Sequence, residues 1–374
     1  MVRAIGLDSG TMSLDILGFD DESNEVFLDI AIPREVITNH PEYPIKLIEK
    51  IKDVKAIVVS SGYGIPFKRA QESSIEEINR ATFITKEDEN KRLKIVGLRN
   101  LMKLFRESNL PAYFVPGVIQ LETIPEYRKL NKIDLGTSDK IFSVAQALKD
   151  EMDIYQKRPS FSNFILVEIG FAYIAALSII NGKIVDGIGG TTGFPGFKGS
   201  GFIDAEVSYA ISSAEPRFSK IRLFQGGISD LINNDNIDYF ESLVKAGNEI
   251  GLVGINAIIE SILKDIAIML VSNPKPEKVY LSGRFTRYKT IFSYIKKSIR
   301  DFLNNFPINA EITTVSRLGN ETKEAASGAA VLANGIANGR YRDIFETLEI
   351  RNSKHDIFSY IKPNDLKTKI LKVF

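Results

Sequence analysis

A chain of 374 residues is too long for one ordinary core and predicts two domains, or else one large α/β unit. With 44% hydrophobic and 25% charged residues it has the composition of a packed globular protein, which excludes a disordered or fibrous chain. Lys and Arg (48) balance Asp and Glu (47), so there is no field to hold a long polyanion, and nucleic acid is not the expected partner. There is no cysteine, which removes disulfides, thiolate nucleophiles and cysteine-bound zinc and makes the cytoplasm the expected compartment. His40 and His355 are the only histidines, so catalysis is expected to rest on carboxylates, Arg or Lys, hydroxyls and Mg²⁺.

The chain starts directly in a strand-like run, Val2 to Leu7, with no basic and apolar leader before it. Residues 3–20 read as two strands around a small polar turn, and residues 20–32 add a further turn and strand. In the first turn, Ser9, Gly10, Thr11, Met12 and Ser13 are suited to aiming backbone N–H groups and hydroxyls at phosphate oxygens, with Asp8 holding Mg²⁺ through water. An ordinary β-turn with a capping Asp is the plainer account of the same residues. Pro44–Lys52 reads as a short amphipathic helix. The next run, 54–64, is a buried strand ending in Ser60, Ser61 and Gly62, where ligand-facing loops commonly lie. Charge dominates from Lys68 to Lys94, as in exposed helices or an insertion, before helical spacing at 97–109 and a strand at 112–118. Residues 136–152 predict a helix with Thr137 or Ser138 as N-cap and Asp139 in its first turn.

A second meander begins at Phe164, with Asn181-Gly182 as a strong hairpin signal. Glu168-Ile169-Gly170 falls 160 residues beyond Asp8-Ser9-Gly10, at the same point of the same hairpin. Two acid–x–Gly turns, one per half, suit a phosphate chain held from both sides. The glycine-rich run from Gly187 to Gly201, with Gly190, Thr191 and Thr192, allows close backbone approach to a ligand, unless it is a plain solvent loop. The apolar stretch from Val253 to Val271 carries Glu260, Lys264 and Asp265, which fits a buried helix and argues against a membrane span. A strand at 277–283 ends in Ser282-Gly283, where adenine could lie against backbone with Arg284 stacking on the base or touching phosphate. Helical spacing follows at Tyr288–Phe302, and the Ala/Gly-rich helix at 321–339 suits very close packing against another helix.

The paired hairpins resemble the signature of the superfamily that contains actin, the heat-shock chaperone ATPases, sugar kinases and acetate kinase. In that resemblance Asp8–Ser13 is the first phosphate loop, Glu168–Phe171 the second, and residues 280–285 (YLSGRF) the adenosine strand-loop. The segments GTSDKIFSVA and GGTTGFPGFKGSGFID are similar to the "GTSH" and "TSMGFTPLEGL…TRSGDID" motifs of the acetate and butyrate kinases. The chain also resembles an uncharacterised archaeal family described as predicted butyrate kinases.

The resemblance implies an α/β fold of two ribonuclease-H-like (actin-like ATPase) domains with a nucleotide cleft between them. The lobes would span 1–133 and 134–338, followed by a helical tail at 339–374. It also implies ATP and Mg²⁺ as cofactors, Asp8, Glu168 and Glu324 as metal ligands, a small carboxylate as substrate and a homodimer. Family histidines fall on Leu135, Asp139 and Glu168, and the family arginine on about Gly199. Lys198, Lys140 or Arg69 is left to supply the missing positive charge on the transferred phosphoryl group. Three readings follow: a carboxylate kinase, a kinase or ATPase in which Glu168 or Asp139 acts as base on a hydroxyl or water, and a nucleotide-binding sensor or scaffold without turnover.

Overall fold

A computed structural model describes residues 1–85, 96–215 and 220–374; the charged stretch 68–94 lies partly outside these. The described chain forms two compact units. The first comprises Met1–Ser162, Ile179–Asp186 and Val315–Phe374, and the second Asn163–Ser178 and Gly187–Thr314. Each unit is therefore assembled from separated stretches of sequence, and both the 138–153 helix and the 324–336 helix belong to the first.

The first unit holds strands β1 (Arg3–Ser9), β2 (Ser13–Asp20), β3 (Val26–Pro33), β4 (Val54–Val59), β5 (Lys68–Arg69) and β6 (Ala112–Phe114), in the order β3-β2-β1-β4-β6-β5. β1, β2 and β3 are the expected antiparallel meander, and β4 and β6 run parallel to β1 through crossover connections. Ile5, Leu7, Leu14, Ile16, Ile57, Val59 and Phe114 share one core with Met102 and Phe105 of helix α1 (Val96–Glu107).

Helices α2 (Ser138–Asp153) and α3 (Glu324–Ile336) also pack in this unit, and every residue of α3 is buried. The Ala/Gly composition is what allows this. A Cβ on Gly328 would stand 1.8 Å from the Phe142 carbonyl oxygen of α2, and one on Gly6 of β1 would stand 2.1 Å from the Ala330 amide nitrogen of α3. Helix meets helix, and helix meets sheet, backbone against backbone.

Two meander carboxylates fix the entry to α3. Asp29 of β3 accepts from the amides of Asn320 (2.6 Å), Glu321 (2.9 Å) and Thr322 (3.0 Å) and from the Thr322 hydroxyl. Asp15 of β2 accepts from the Lys323 amide at 2.9 Å. Burial works against the Asp29 carboxylate, but the amide and hydroxyl bonds outweigh it and hold its pKa below the usual range. Asp29→Ala is expected to cost about 2 kcal/mol of stability at pH 7 in urea unfolding. Because the folded-state pKa is depressed, the part of that difference due to the charge is present above the unfolded-state value of about 4 and is lost as pH falls through the folded one.

The second unit is built on β7 (Phe164–Ile169), β8 (Ile174–Ile180), β9 (Lys183–Ile188), β10 (Lys278–Ser282) and β11 (Glu311–Thr314), ordered β11-β10-β7-β8-β9. The tip of the β8–β9 hairpin, 179–186, is counted with the first unit. Read from the meander outward, the order meander–β1–β4–β6 recurs as meander–β7–β10–β11, so the repeat seen in sequence extends to the parallel strands. Helix α4 (Glu249–Ser272) places Ile255, Ile258, Ile262, Ile266 and Met269, spaced three and four apart, in the core with Val167, Val279 and Leu281. Among the described residues no helix is long and apolar enough to cross a membrane.

Candidate functional site

In the first unit, the turn joining β1 to β2 closes with Gly10 N–H donating to the Ser13 carbonyl at 2.9 Å. In the second, Gly170 N–H donates to the Tyr173 carbonyl, also at 2.9 Å, so the turns repeat in hydrogen bonding as well as in sequence. Asp8 and Glu168 occupy matching positions at the ends of their strands. Thr11 and Met12 lie exposed at the tip of the first turn.

Asp8 is 3% exposed. Its Oδ2 accepts from Lys323 Nζ at 2.6 Å, while Oδ1 is buried with no hydrogen-bond partner. Burial pushes its pKa up to about 6; Lys323 opposes the shift, and the nearby Asp139 and Asp15 carboxylates add to it. The Lys323 ammonium also stands 3.9 Å from Asp15 Oδ2 and lies so close over the turn that a Cβ on Gly10 would be 2.5 Å from it.

Of the turn hydroxyls expected to face phosphate, those of Ser9 and Ser13 are engaged inside the protein. Ser9 Oγ accepts from Arg34 Nη1 at 2.7 Å, and Ser13 Oγ donates to Asp15. Ser60 Oγ accepts from the Ser9 amide at 3.2 Å, Ser61 Oγ donates to the Val115 carbonyl, and both serines are buried. Arg34 is a cation that the sequence did not single out. Burial lowers its pKa, and Asp8 works the other way.

Asp139 lies in the first turn of α2 and Thr137 is the N-cap residue, both as predicted, but Thr137 makes no side-chain cap bond; its hydroxyl donates to the Asp139 carboxylate instead. Ser138 Oγ accepts from the Ser61 amide at 2.9 Å. Burial works against the Asp139 carboxylate, yet Lys140, bonded at 2.7 Å, and the Thr137 hydroxyl hold its pKa low. Arg69 lies exposed on the short edge strand β5, paired with Tyr113, whose ring it overlies at 5.8 Å. Glu324 is buried in the first turn of α3, 4.0 Å from Arg317 Nε.

In the second unit, Glu168 is half-buried at the end of β7, opposite Ser282 of β10. Ser282 Oγ is buried without a partner. Gly283 follows at φ 92°, and a Cβ there would stand 2.6 Å from the Ile169 carbonyl oxygen; this position demands glycine on both counts. Arg284 begins a short 3₁₀ turn. The glycines of 187–201 have their close neighbour in the protein itself. Cβ atoms on Gly190 and Gly199 would lie 2.4 and 2.1 Å from the Tyr173 side chain. Thr192 Oγ1 bonds back to Gly189, and Lys198 is ion-paired with Asp235. Behind this loop, Asp265 of α4 is fully buried, with both carboxylate oxygens unpartnered and about 3.5 Å from where a Gly193 Cβ would lie.

The first unit thus gathers Asp8, Gly10 and Asp139 from the expected set, and adds Lys323, Asp15 and Arg34. Nothing local in the sequence points to Lys323; its one signal is its place directly before the Ala/Gly helix. Among the described residues no three His, Cys, Asp or Glu side chains form a ready metal cage. The residues do fit a phosphate-bound metal that keeps most of its own water, because Asp8 Oδ1 is a buried acceptor without a donor beside a turn of exposed residues.

Residues 6–363 match the model of a family described as "Protein of unknown function (DUF1464)". No curated protein matches the chain. The structure is similar to a propionate kinase from Francisella tularensis subsp. tularensis SCHU S4, with TM-score 0.63 and 15% identity, covering 88% of this chain and 99% of that one. It is also similar to acetate kinases from Porphyromonas gingivalis (0.56, 13%, 88% and 98%) and Entamoeba histolytica (0.54, 12%, 84% and 96%). At these identities the likeness shows the fold, and the expected α/β, two-domain actin-like ATPase architecture is the one observed.

Proposed function

We propose, for a chain that belongs to the DUF1464 family, that it is an ATP- and Mg²⁺-dependent phosphotransferase whose acceptor is a small carboxylate. One observation carries the nucleotide part: the buried, unpartnered Asp8 Oδ1 beside the Gly10–Ser13 turn, overhung by the Lys323 ammonium. In this reading the turn amides hold phosphate oxygens, Asp8 anchors Mg²⁺ through water, and Lys323 and Arg34 supply positive charge close by. The metal, when bound, neutralises the phosphate charge.

The carboxylate acceptor is supported by the GTSD and GGTTGFPG segments and by the fold shared with propionate and acetate kinases. A carboxylate attacks phosphorus without losing a proton, so this chemistry needs no base. An alcohol or water would need one. Asp139 suits that role poorly, because Lys140 and Thr137 already hold its carboxylate in the ionised form at low proton affinity.

Calorimetric titration with ADP and a non-hydrolysable ATP analogue, with and without Mg²⁺, tests the site. Micromolar, Mg²⁺-dependent affinity is expected. Asp8→Asn, which keeps the shape but removes the charge, should weaken it at least about tenfold; unchanged affinity would sink the assignment. Incubation with ATP, short carboxylates and hydroxylamine should then trap acyl phosphate as hydroxamate. ATP turnover without hydroxamate would move the acceptor to a hydroxyl or water, and binding without turnover would leave a sensor.

A further inference from the structure

Lys323 is held far more rigidly than a surface lysine. Its amide is bonded to Asp15, and the three preceding amides are bonded to Asp29, so its backbone is fixed against β2 and β3. Its side chain is 17% exposed and reaches across the Gly10 turn to Asp8 Oδ2 at 2.6 Å. An ammonium so placed meets any anion that arrives on the turn.

The surrounding charges do not suit a permanent Lys323–Asp8 pair once a metal arrives. The ammonium is shared by Asp8 and Asp15, at 2.6 and 3.9 Å, with Arg34 close behind through Ser9. A divalent cation drawn to Asp8 would face the ammonium at short range in a buried setting, where like charges repel strongly. A phosphate oxygen above the turn offers the ammonium a compensating partner, with a shorter and stronger bond than neutral donors make.

We infer that Lys323 exchanges partners: it holds Asp8 in the free protein and turns to a nucleotide phosphate when Asp8 takes up the metal. The inference rests on the nucleotide-binding reading and adds a specific ligand and a specific antagonism. Lys323 binds the anion when nucleotide is present, and it competes with the cation when nucleotide is absent.

The test uses the full chain as wild type, Lys323→Ala, Lys323→Arg and Lys323→Gln, with two titrations. In the first, Mg·ADP is followed by calorimetry. Lys323→Ala should bind roughly 10- to 100-fold more weakly than wild type, with Lys323→Arg recovering most of the loss. In the second, Mn²⁺ without nucleotide is followed by electron paramagnetic resonance, and Lys323→Ala should bind it more tightly than wild type. Lys323→Gln, which keeps a donor for Asp8, is expected to show the same loss toward Mg·ADP and stands in if the alanine variant fails to fold. If wild type binds Mg·ADP and the Ala and Gln variants match it within twofold, the partner exchange is overturned while the nucleotide reading stands. Weaker Mn²⁺ binding in Lys323→Ala would overturn the antagonism. No binding of nucleotide to wild type would overturn both readings.

Discussion

Asp265→Asn should exceed wild type in stability by only about 1–2 kcal/mol near pH 5 and by about 5 kcal/mol at pH 8. Asp265 lies fully buried on α4, both oxygens lack partners, and burial alone pushes its pKa up to about 8. The sign follows from linkage. The folded chain keeps the proton between about pH 4 and pH 8 while the unfolded chain has released it, so stability falls as pH rises through that window and levels off above it. Asparagine has the shape of the neutral acid and no titration, which removes the slope. Each pH unit is worth about 1.4 kcal/mol, so the whole window of about four units supplies about 5 kcal/mol. Urea unfolding at pH 5, 6.5 and 8 reads the difference between the two proteins. A constant difference across the three would show that Asp265 is ionised in the folded protein or paired there.

The second large effect is steric. Gly328→Ala should destabilise the first unit by about 3 kcal/mol or more, although alanine favours an isolated helix over glycine by about 1 kcal/mol. The opposing term wins because the new methyl would sit 1.8 Å from the Phe142 carbonyl, which is backbone of a buried helix and has nowhere to go. Gly6→Ala, with its methyl 2.1 Å from the Ala330 amide nitrogen, is expected to act in the same direction. Thermal melting of either variant gives the answer; a rise in melting temperature for Gly328→Ala would mean that α2 and α3 are not in backbone contact.

The repeat was legible in the chain because it is local. Asp8–Gly10 and Glu168–Gly170 each sit in a hairpin whose alternating strands and tight turn are set by neighbouring residues, and each closes with the same Gly-to-i+3 hydrogen bond. The crowding around Gly328 was legible for a similar reason, since a run of Ala and Gly has little use other than close approach. The helix over Val253–Val271, which buries one face, could also be read directly, from three charged residues that a bilayer would not tolerate.

Packing showed what the sequence did not say about two expected groups. Among the glycines of 187–201, Gly190 and Gly199 also make room for Tyr173. Lys198, expected to replace a missing arginine, is ion-paired with Asp235. A glycine records that something comes close without recording what, and a lysine records a charge without its partner.

Sequence by itself determined the two meanders, the acid–x–Gly turns and the close-packed helix, because patterning and turn chemistry act over a few residues. Only the tertiary structure decided which charges meet. Lys323 reaches Asp8 across 315 residues of chain, and Asp29 gathers amides about as far away. Such pairings depend on where folding brings separate strands and helices together, and Coulomb attraction carries no record of order along the chain.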